Sequence, residues 1–265
     1  LPVDQDGLLD PDDVRRAITS KTILISVMMA NNEIGVLAPV AAIGQVAHEY
    51  GVLFHTDAAQ AVGHVPVDVE AMNVDLLSMS AHKIYGPKGV GALYVRGLRP
   101  RVRVAEQIHG GGHERGMRSG TLNVPGIVGL GKALEIAGRN LGTEGERLQG
   151  LRDRLWDEIQ ASLPSVELNG HPAQRLPHNL SVYIPGVESR VLVVQLKDDV
   201  ALSVGSACTT AHVEPSHVIR ALGYGDERAY SSVRLGIGRE NTEADIAFVA
   251  EQLASRMQRL QKLAV

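Results

Sequence analysis

Lys83 stands at the end of an apolar run, Val74-Asp75-Leu76-Leu77-Ser78-Met79-Ser80-Ala81-His82-Lys83. An amine at such a corner sits against low-dielectric walls, which favour its neutral form. The neutral amine is the form that condenses with a carbonyl to give a Schiff base. Ser80 and His82, beside it, carry groups that can hydrogen-bond a phosphate. A lysine standing alone in a turn would read as ordinary surface, so its neighbours decide.

The first neighbour is Asp57, which ends a second apolar run, Val52-Leu53-Phe54-His55-Thr56. A carboxylate beside a pyridine nitrogen keeps that ring protonated, and a protonated ring accepts the electrons of a carbanion formed on a bound amino acid. An Asp in this place can equally cap the next helix. Gln60 follows one helical turn later and could reach a phenolic oxygen of the same ring. The ordered set of Asp57, Gln60, Ser80, His82 and Lys83 weighs more than any member alone.

Cys208 is the single cysteine of the chain. A lone cysteine is usually a small core residue. This one lies in Ser203-Val204-Gly205-Ser206-Ala207-Cys208-Thr209-Thr210, a stretch of small residues with little to bury. A thiolate there could attack a sulfur atom held on a cofactor and carry it away. A free thiol has a pKa of about 8.5, so local activation would help. His212 and the end of the preceding helix are both candidates for that activation.

These residues need elements to position them. Residues 10–18 read as a short helix that starts at Asp10-Pro11, an N-cap acid followed by proline. Residues 22–29, 52–56, 74–80 and 90–95 read as strands, and residues 39–50 as a helix stopped by Gly51. Such alternation points to an α/β domain with a mostly parallel sheet. Ligands of such sheets collect at the C-terminal strand ends, and Asn32, Asp57 and Lys83 all follow one. Residues 109–121 form a Gly-rich, basic loop. A long helix over residues 127–163, interrupted near Gly142, leads to strands at residues 179–184 and around Arg234. Helices follow at residues 189–196, after Pro215, and at residues 242–263. The expected division is a large domain over residues 1–141 and a smaller α+β domain over residues 142–265.

Composition narrows the classes. An apolar content of 44% supplies a substantial core. The formal charge of -4 gives no global reason to expect nucleic acid or an anionic membrane as partner. No apolar run is long enough to span a bilayer. One cysteine excludes a disulfide framework within the chain and suits a reducing, cytoplasmic setting. His109 and His113 flank three glycines, but two histidines without a third ligand make a poor metal site. Gly86-Pro87-Lys88-Gly89 is too short for a P-loop and reads as a turn between strands.

The run His55-Thr56-Asp57-Ala58-Ala59-Gln60, followed by Ser80-Ala81-His82-Lys83 and Gly86-Pro87-Lys88-Gly89, resembles the class V aminotransferase family of fold-type I pyridoxal phosphate enzymes. The likeness is closer to the cysteine desulfurases of iron–sulfur cluster assembly. It rests on Asn31-Asn32-Glu33-Ile34-Gly35, the loop from His109 through Arg118-Ser119-Gly120-Thr121, Gly205-Ser206-Ala207-Cys208-Thr209, and Ser231-Ser232-Val233-Arg234. Together these span essentially the whole chain, in order.

The resemblance implies an α/β fold of the pyridoxal-phosphate-dependent transferase type I class, with a mostly parallel sheet, flanking helices and a smaller α+β C-terminal domain. It implies pyridoxal 5'-phosphate held as a Schiff base on Lys83, which would also move protons at the substrate α-carbon. Asp57 would pair with the pyridinium and Gln60 with the ring oxygen, while Ser80, His82 and the Ala81 backbone would bind the phosphate. Thr121 would reach the cofactor of a partner subunit, so a homodimer is implied. Asn32 and Arg234 would hold the carboxylate of L-cysteine. Cys208 would accept the sulfur as a persulfide and pass it to an iron–sulfur scaffold, to other sulfur-acceptor proteins or toward tRNA thiolation. The same thiolate could serve as a transient iron–sulfur ligand.

Rival readings are a selenocysteine lyase, another class V enzyme, or a non-catalytic binding protein. The chain opens on LPVDQDGLLD rather than Met, which suggests a piece of a longer protein. Relatives carry an N-terminal segment that completes the phosphate cup and supplies a histidine stacked on the ring. They also carry a C-terminal extension for scaffold contact.

Overall fold

The computed structural model describes residues 1–98, 100–205 and 215–263, with side chains except at residues 258 and 261–263. Two compact units emerge, and neither is continuous in sequence. The sheet unit comprises Pro11–Met29 and Ala38–Leu141. The C-terminal unit comprises Leu1–Asp10, Ala30–Leu37 and Gly142–Val265.

The sheet unit is built on β1 (Leu24–Met28), β2 (Leu53–Asp57), β3 (Leu76–Ser80) and β4 (Gly91–Val95), hydrogen-bonded in that order. Strands β1, β2 and β3 run parallel. Strand β4 runs antiparallel to β3, with Ser80 opposite Gly91. The sequence suggested strand–helix–strand alternation, with residues 86–89 as a turn between strands. Residues 81–90 make a 3-10 turn and a tight Gly-Pro-Lys-Gly reversal, too short for a parallel crossover. Between β2 and β3 the chain makes turns but no α-helix.

Two helices belong to this unit outright, α1 (Pro11–Ala17) and α2 (Val40–Glu49). Asp12 and Asp13 open α1 and Arg15 and Arg16 close it, which opposes the helix dipole at both ends. Helix α2 buries Val40, Ile43, Val46 and Ala47, an i, i+3, i+6, i+7 stripe, and packs on β2. Along β2, Phe54 and Thr56 are buried while His55 and Asp57 are half-buried, because alternate residues face opposite sides of a strand. The face carrying His55 and Asp57 is thus the one left open for chemistry.

Just before β3, Asp75 has its carboxyl group fully buried. Its carboxylate accepts the backbone N–H of Phe54 at 2.9 Å and pairs with Arg96 Nε at 3.2 Å. His48 Nε2 adds a third partner at 3.2 Å. Arg96 also donates to the carbonyls of Val69 and Val74. The network ties the start of β3 to β2.

Helix α3 (Val124–Ser162) is one continuous helix of 39 residues. The interruption expected at Gly142 does not occur. The space around Gly142 is open, and a helical glycine costs only about 1 kcal/mol relative to alanine. Within α3, residues up to Leu141 count with the sheet unit and those from Gly142 onward with the C-terminal unit.

The C-terminal unit holds an antiparallel sheet of β5 (Glu167–Leu168), β6 (Asn179–Tyr183) and β7 (Ser232–Gly236), in that order. Its other helices are α4 (Ser189–Leu196), α5 (His217–Ala221), α6 (Asp226–Tyr230) and α7 (Glu243–Leu263). Leu148, Leu155 and Ile159 of α3 pack with Leu180, Leu192, Leu235 and Leu253 in one apolar core. Beside that core, Arg228 lies over the rings of Tyr224 and Tyr183 and donates to Asn169 Oδ1 at 2.9 Å. No described helix is long and apolar enough to cross a membrane.

Candidate active site

Asp57 is the last residue of β2, and its Cα partner on β3 is Ser78. Its Oδ1 accepts the N–H of Ala59 at 2.9 Å, an Asx-type turn that starts the next segment. Ala58 N–H donates back to Ser78 O at 2.9 Å, so the chain leaves β2 still attached to β3. Gln60 follows on this segment and is half-buried, like Asp57.

Lys83 lies in a 3-10 turn, Ala81–Ile84, that begins as soon as β3 ends at Ser80. Ala81 is fully buried, and its N–H donates to Val90 O at 3.1 Å. Its carbonyl accepts Gly86 N–H at 2.9 Å. The Ala81 peptide thus anchors the corner. Ser80 Oγ and His82 Nδ1 lie 2.8 Å apart and form a hydroxyl–imidazole pair on the same turn. Tyr85, with φ of 64°, closes the turn in the left-handed region. Lys83 is half-buried.

On the open face of the sheet, His55 bridges two serines. Its Nδ1 lies 2.8 Å from Ser26 Oγ on β1, and its Nε2 lies 2.8 Å from Ser78 Oγ on β3. Burial lowers the pKa of His55 from its ordinary value, against a smaller opposing pull from Asp57. A neutral ring offers one donor and one acceptor, which suits a serine on each side.

The loop before α3 is closed by its own polar groups. Ser119 Oγ donates to Glu106 and accepts Gly112 N–H at 3.1 Å. His109 pairs with Glu106, and His113 Nδ1 accepts Gly120 N–H at 3.3 Å. Among the described residues no cluster of three or more metal-ligating side chains occurs. Thr121 is exposed just ahead of α3.

In the C-terminal unit, residues 31–35 form a tight turn. Asn31 Oδ1 accepts the N–H groups of Glu33 at 2.8 Å and Ile34 at 3.0 Å. Gly35 has φ of +77°, and a Cβ there would come within 2.8 Å of the Asn179 side chain. Arg175 Nη2 donates to Ile34 O at 2.8 Å, and Leu176 N–H to Gly35 O at 2.9 Å. Arg175 is only 4% exposed. Burial, and next the nearby charge of Arg152, bring its pKa down to about 10. Arg234 Nη1 donates to the carbonyl of Asn32, and its Nη2 reaches Ser203 Oγ at 3.4 Å. Glu33, 4% exposed, accepts Ser216 Oγ–H at 2.6 Å.

Asp57, Gln60, Ser80, Ala81, His82 and Lys83 thus gather in the sheet unit, while Asn32 and Arg234 gather in the C-terminal unit. Cys208 and His212 lie outside the described residues. Sequence reasoning gave no role to His55, though its two-residue spacing from Asp57 already places both on one face. It also passed over Arg175 and Glu33, whose partners lie far along the chain.

The sheet-unit set fits pyridoxal phosphate: an amine for the aldehyde, a carboxylate for the ring nitrogen, an amide for the ring oxygen, and hydroxyl and imidazole groups for the phosphate. The family model for class V aminotransferases matches residues 1–249. The cysteine desulfurase IscS of Anaeromyxobacter dehalogenans (strain 2CP-C) is 51% identical over 263 residues, 99% of this chain and 65% of that protein. The chain therefore spans about two thirds of the length of such curated relatives. A solved NifS-like protein superposes with a TM-score of 0.88 at 32% identity, covering 97% of this chain and 67% of the other. A solved structure of SspA in complex with cysteine gives 0.74 at 36% identity, over 89% and 65%. These neighbours share the α/β architecture with its mostly parallel sheet and flanking helices.

Proposed function

The chain belongs to the class V aminotransferase family, and from that premise we propose that its protein is a pyridoxal-phosphate-dependent cysteine desulfurase. The reaction would convert L-cysteine to L-alanine and load the released sulfur onto Cys208. The observation that carries this reading is the gathering of Asp57, Gln60 and Lys83 where two adjacent parallel strands, β2 and β3, end.

Bound pyridoxal phosphate supplies an electron sink conjugated to the substrate α-carbon. Asp57 would hold the proton at the ring nitrogen, and its half-buried carboxylate suits that task. Gln60 would face the ring oxygen. Ser80 and His82 would take the phosphate, with Ala81 as the buried anchor beneath them. Lys83 Nζ would hold the cofactor and move the proton at the substrate α-carbon. Asn32 and Arg234 would orient the substrate carboxylate, for which the planar guanidinium is suited. The Cys208 thiolate would attack the substrate sulfur, so that its S–S bond forms as the substrate Cβ–S bond breaks. Protonation at Cβ and return of the proton to the α-carbon by Lys83 would then complete alanine.

The relatives named cysteine desulfurase IscS support the desulfurase reading; the sulfur would pass from Cys208 to an iron–sulfur scaffold or other acceptor proteins, and Cys208 would serve as a transient cluster ligand. A homodimer is supported by Leu122, Val124, Ile127 and Val128, which stand exposed beside Thr121 at the start of α3. The cofactor domain would correspond to the sheet unit and the sulfur-carrying domain to the C-terminal unit, with residues 1–10 and 30–37 grouping with the latter. A single cysteine supports work in a reducing cytoplasm.

Product stoichiometry is the test. With pyridoxal phosphate, L-cysteine and a thiol reductant, alanine and sulfide are expected in equal amounts. Lys83→Ala is expected to yield neither. Sulfide without alanine would overturn the reading.

A further inference from the structure

We propose that His64 is the positioning residue for Lys83, gripping the lysine's own peptide from the segment that also carries Asp57 and Gln60. This inference rests on the cofactor role proposed for Lys83. His64 Nε2 lies 3.1 Å from the backbone carbonyl of Lys83 in a partly buried contact. A carbonyl only accepts, so Nε2 carries the hydrogen. Both the neutral Nε2–H tautomer and the imidazolium meet that requirement, so the contact does not depend on the charge of the ring.

The Lys83 corner has need of such a partner. Its 3-10 turn is four residues long, and Gly86 and Tyr85 both donate to the carbonyl of Ala81. A turn this short closes few internal bonds, so its later carbonyls look elsewhere. The carbonyl of Lys83 finds His64, which lies far from it in sequence.

The approach is built into the backbone. Gly63 has φ of +79°, and a Cβ there would come within 2.7 Å of Ile84 Cγ2. The chain therefore passes close to the residue after Lys83 at the position just before His64. The same segment starts at Asp57 and winds through successive turns. Val62 N–H donates to Ala58 O at 2.9 Å, and His64 N–H to Ala61 O at 3.0 Å. One short stretch thereby presents the carboxylate, the amide and the grip on the lysine peptide. Lys83 is held in register with Asp57 and Gln60 before any ligand arrives, and ordering it on binding costs correspondingly less.

Two cofactor probes and two variants of the full chain test this. Pyridoxal phosphate can join the lysine amine; pyridoxine phosphate has the same ring and phosphate but no aldehyde. In His64→Ala the apparent Kd for pyridoxal phosphate is expected to rise about 3- to 10-fold, the range one hydrogen bond supplies. The fraction of Lys83 labelled after borohydride reduction should fall with it. Pyridoxine phosphate should bind as in the parent, within about twofold, because it never uses the lysine. His64→Gln, which keeps an N–H donor of similar reach, should restore both readouts.

If both probes weaken equally in His64→Ala, His64 supports the site as a whole and the positioning role is wrong. If neither weakens, the grip is idle and the inference is equally wrong. A parent chain whose Lys83 is never labelled would overturn the cofactor reading and this inference together. A labelled parent matched by His64→Ala would overturn this inference alone.

Discussion

The guanidinium of Arg234 on β7 donates to the backbone carbonyl of Asn32, two hundred and two positions earlier in the chain. The two residues proposed for the substrate carboxylate are thus fixed to each other within one unit. A lysine in place of Arg234 would keep the charge and lose the planar fork. Arg234→Lys is therefore expected to raise KM for L-cysteine about tenfold or more, with the absorbance of the bound cofactor unchanged. Steady-state kinetics on the holoenzyme, with a spectrum of each variant, checks this.

Arg175 holds the other side of the same turn. Its donors serve Ile34 O at 2.8 Å and Asn179 O at 3.2 Å. Arg175→Met fills similar space but leaves buried carbonyls unpaired, at a cost of about 2–4 kcal/mol. The denaturant midpoint is expected to drop accordingly, and KM for L-cysteine to rise as the turn carrying Asn32 loosens. An unchanged midpoint would show that the carbonyls find other donors.

Asp75 carries a comparable load in the sheet unit. Asp75→Ala would strand the buried Arg96 with Glu70, a partner whose side chain is 73% exposed. Breaking a buried pair from one side costs about 3–5 kcal/mol. Asp75→Asn keeps acceptors for Phe54 N–H and should lose less. Equilibrium unfolding of the two variants orders them.

His55 makes stability depend on pH. Its folded pKa lies below the ordinary value of 6.5, so on acidification the unfolded chain takes up the proton first. The contribution of the neutral ring is whole above that ordinary value and is lost as pH falls through it toward the folded pKa. Stability of the parent should decline as pH falls below 6.5. His55→Gln, which keeps a donor and an acceptor for the two serines, should show a shallower decline over the same range.

Much of this was legible in the sequence where the signal is local. Alternation along β2 places Asp57 with His55, and the apolar run into Ser80 marks the Lys83 corner. Direction and partnership were less legible. The antiparallel course of β4 follows from the short link after Lys83, which a strand pattern does not weigh. Asn32 looked like one more strand-end residue beside Asp57. The contacts of its turn with Arg175, Leu176, Asn179 and Arg234 assign it to the C-terminal unit, and such distant pairings leave no periodic trace. The grip of His64 on Lys83 is invisible for the same reason.

The central claim is that Lys83 holds the cofactor while Cys208 takes the sulfur. Alanine formation from L-cysteine by Cys208→Ser, measured beside its cofactor spectrum, tests this most directly. The expected result is parent-like cofactor absorbance with alanine formation reduced to background. Alanine formed at the parent rate by Cys208→Ser would contradict it.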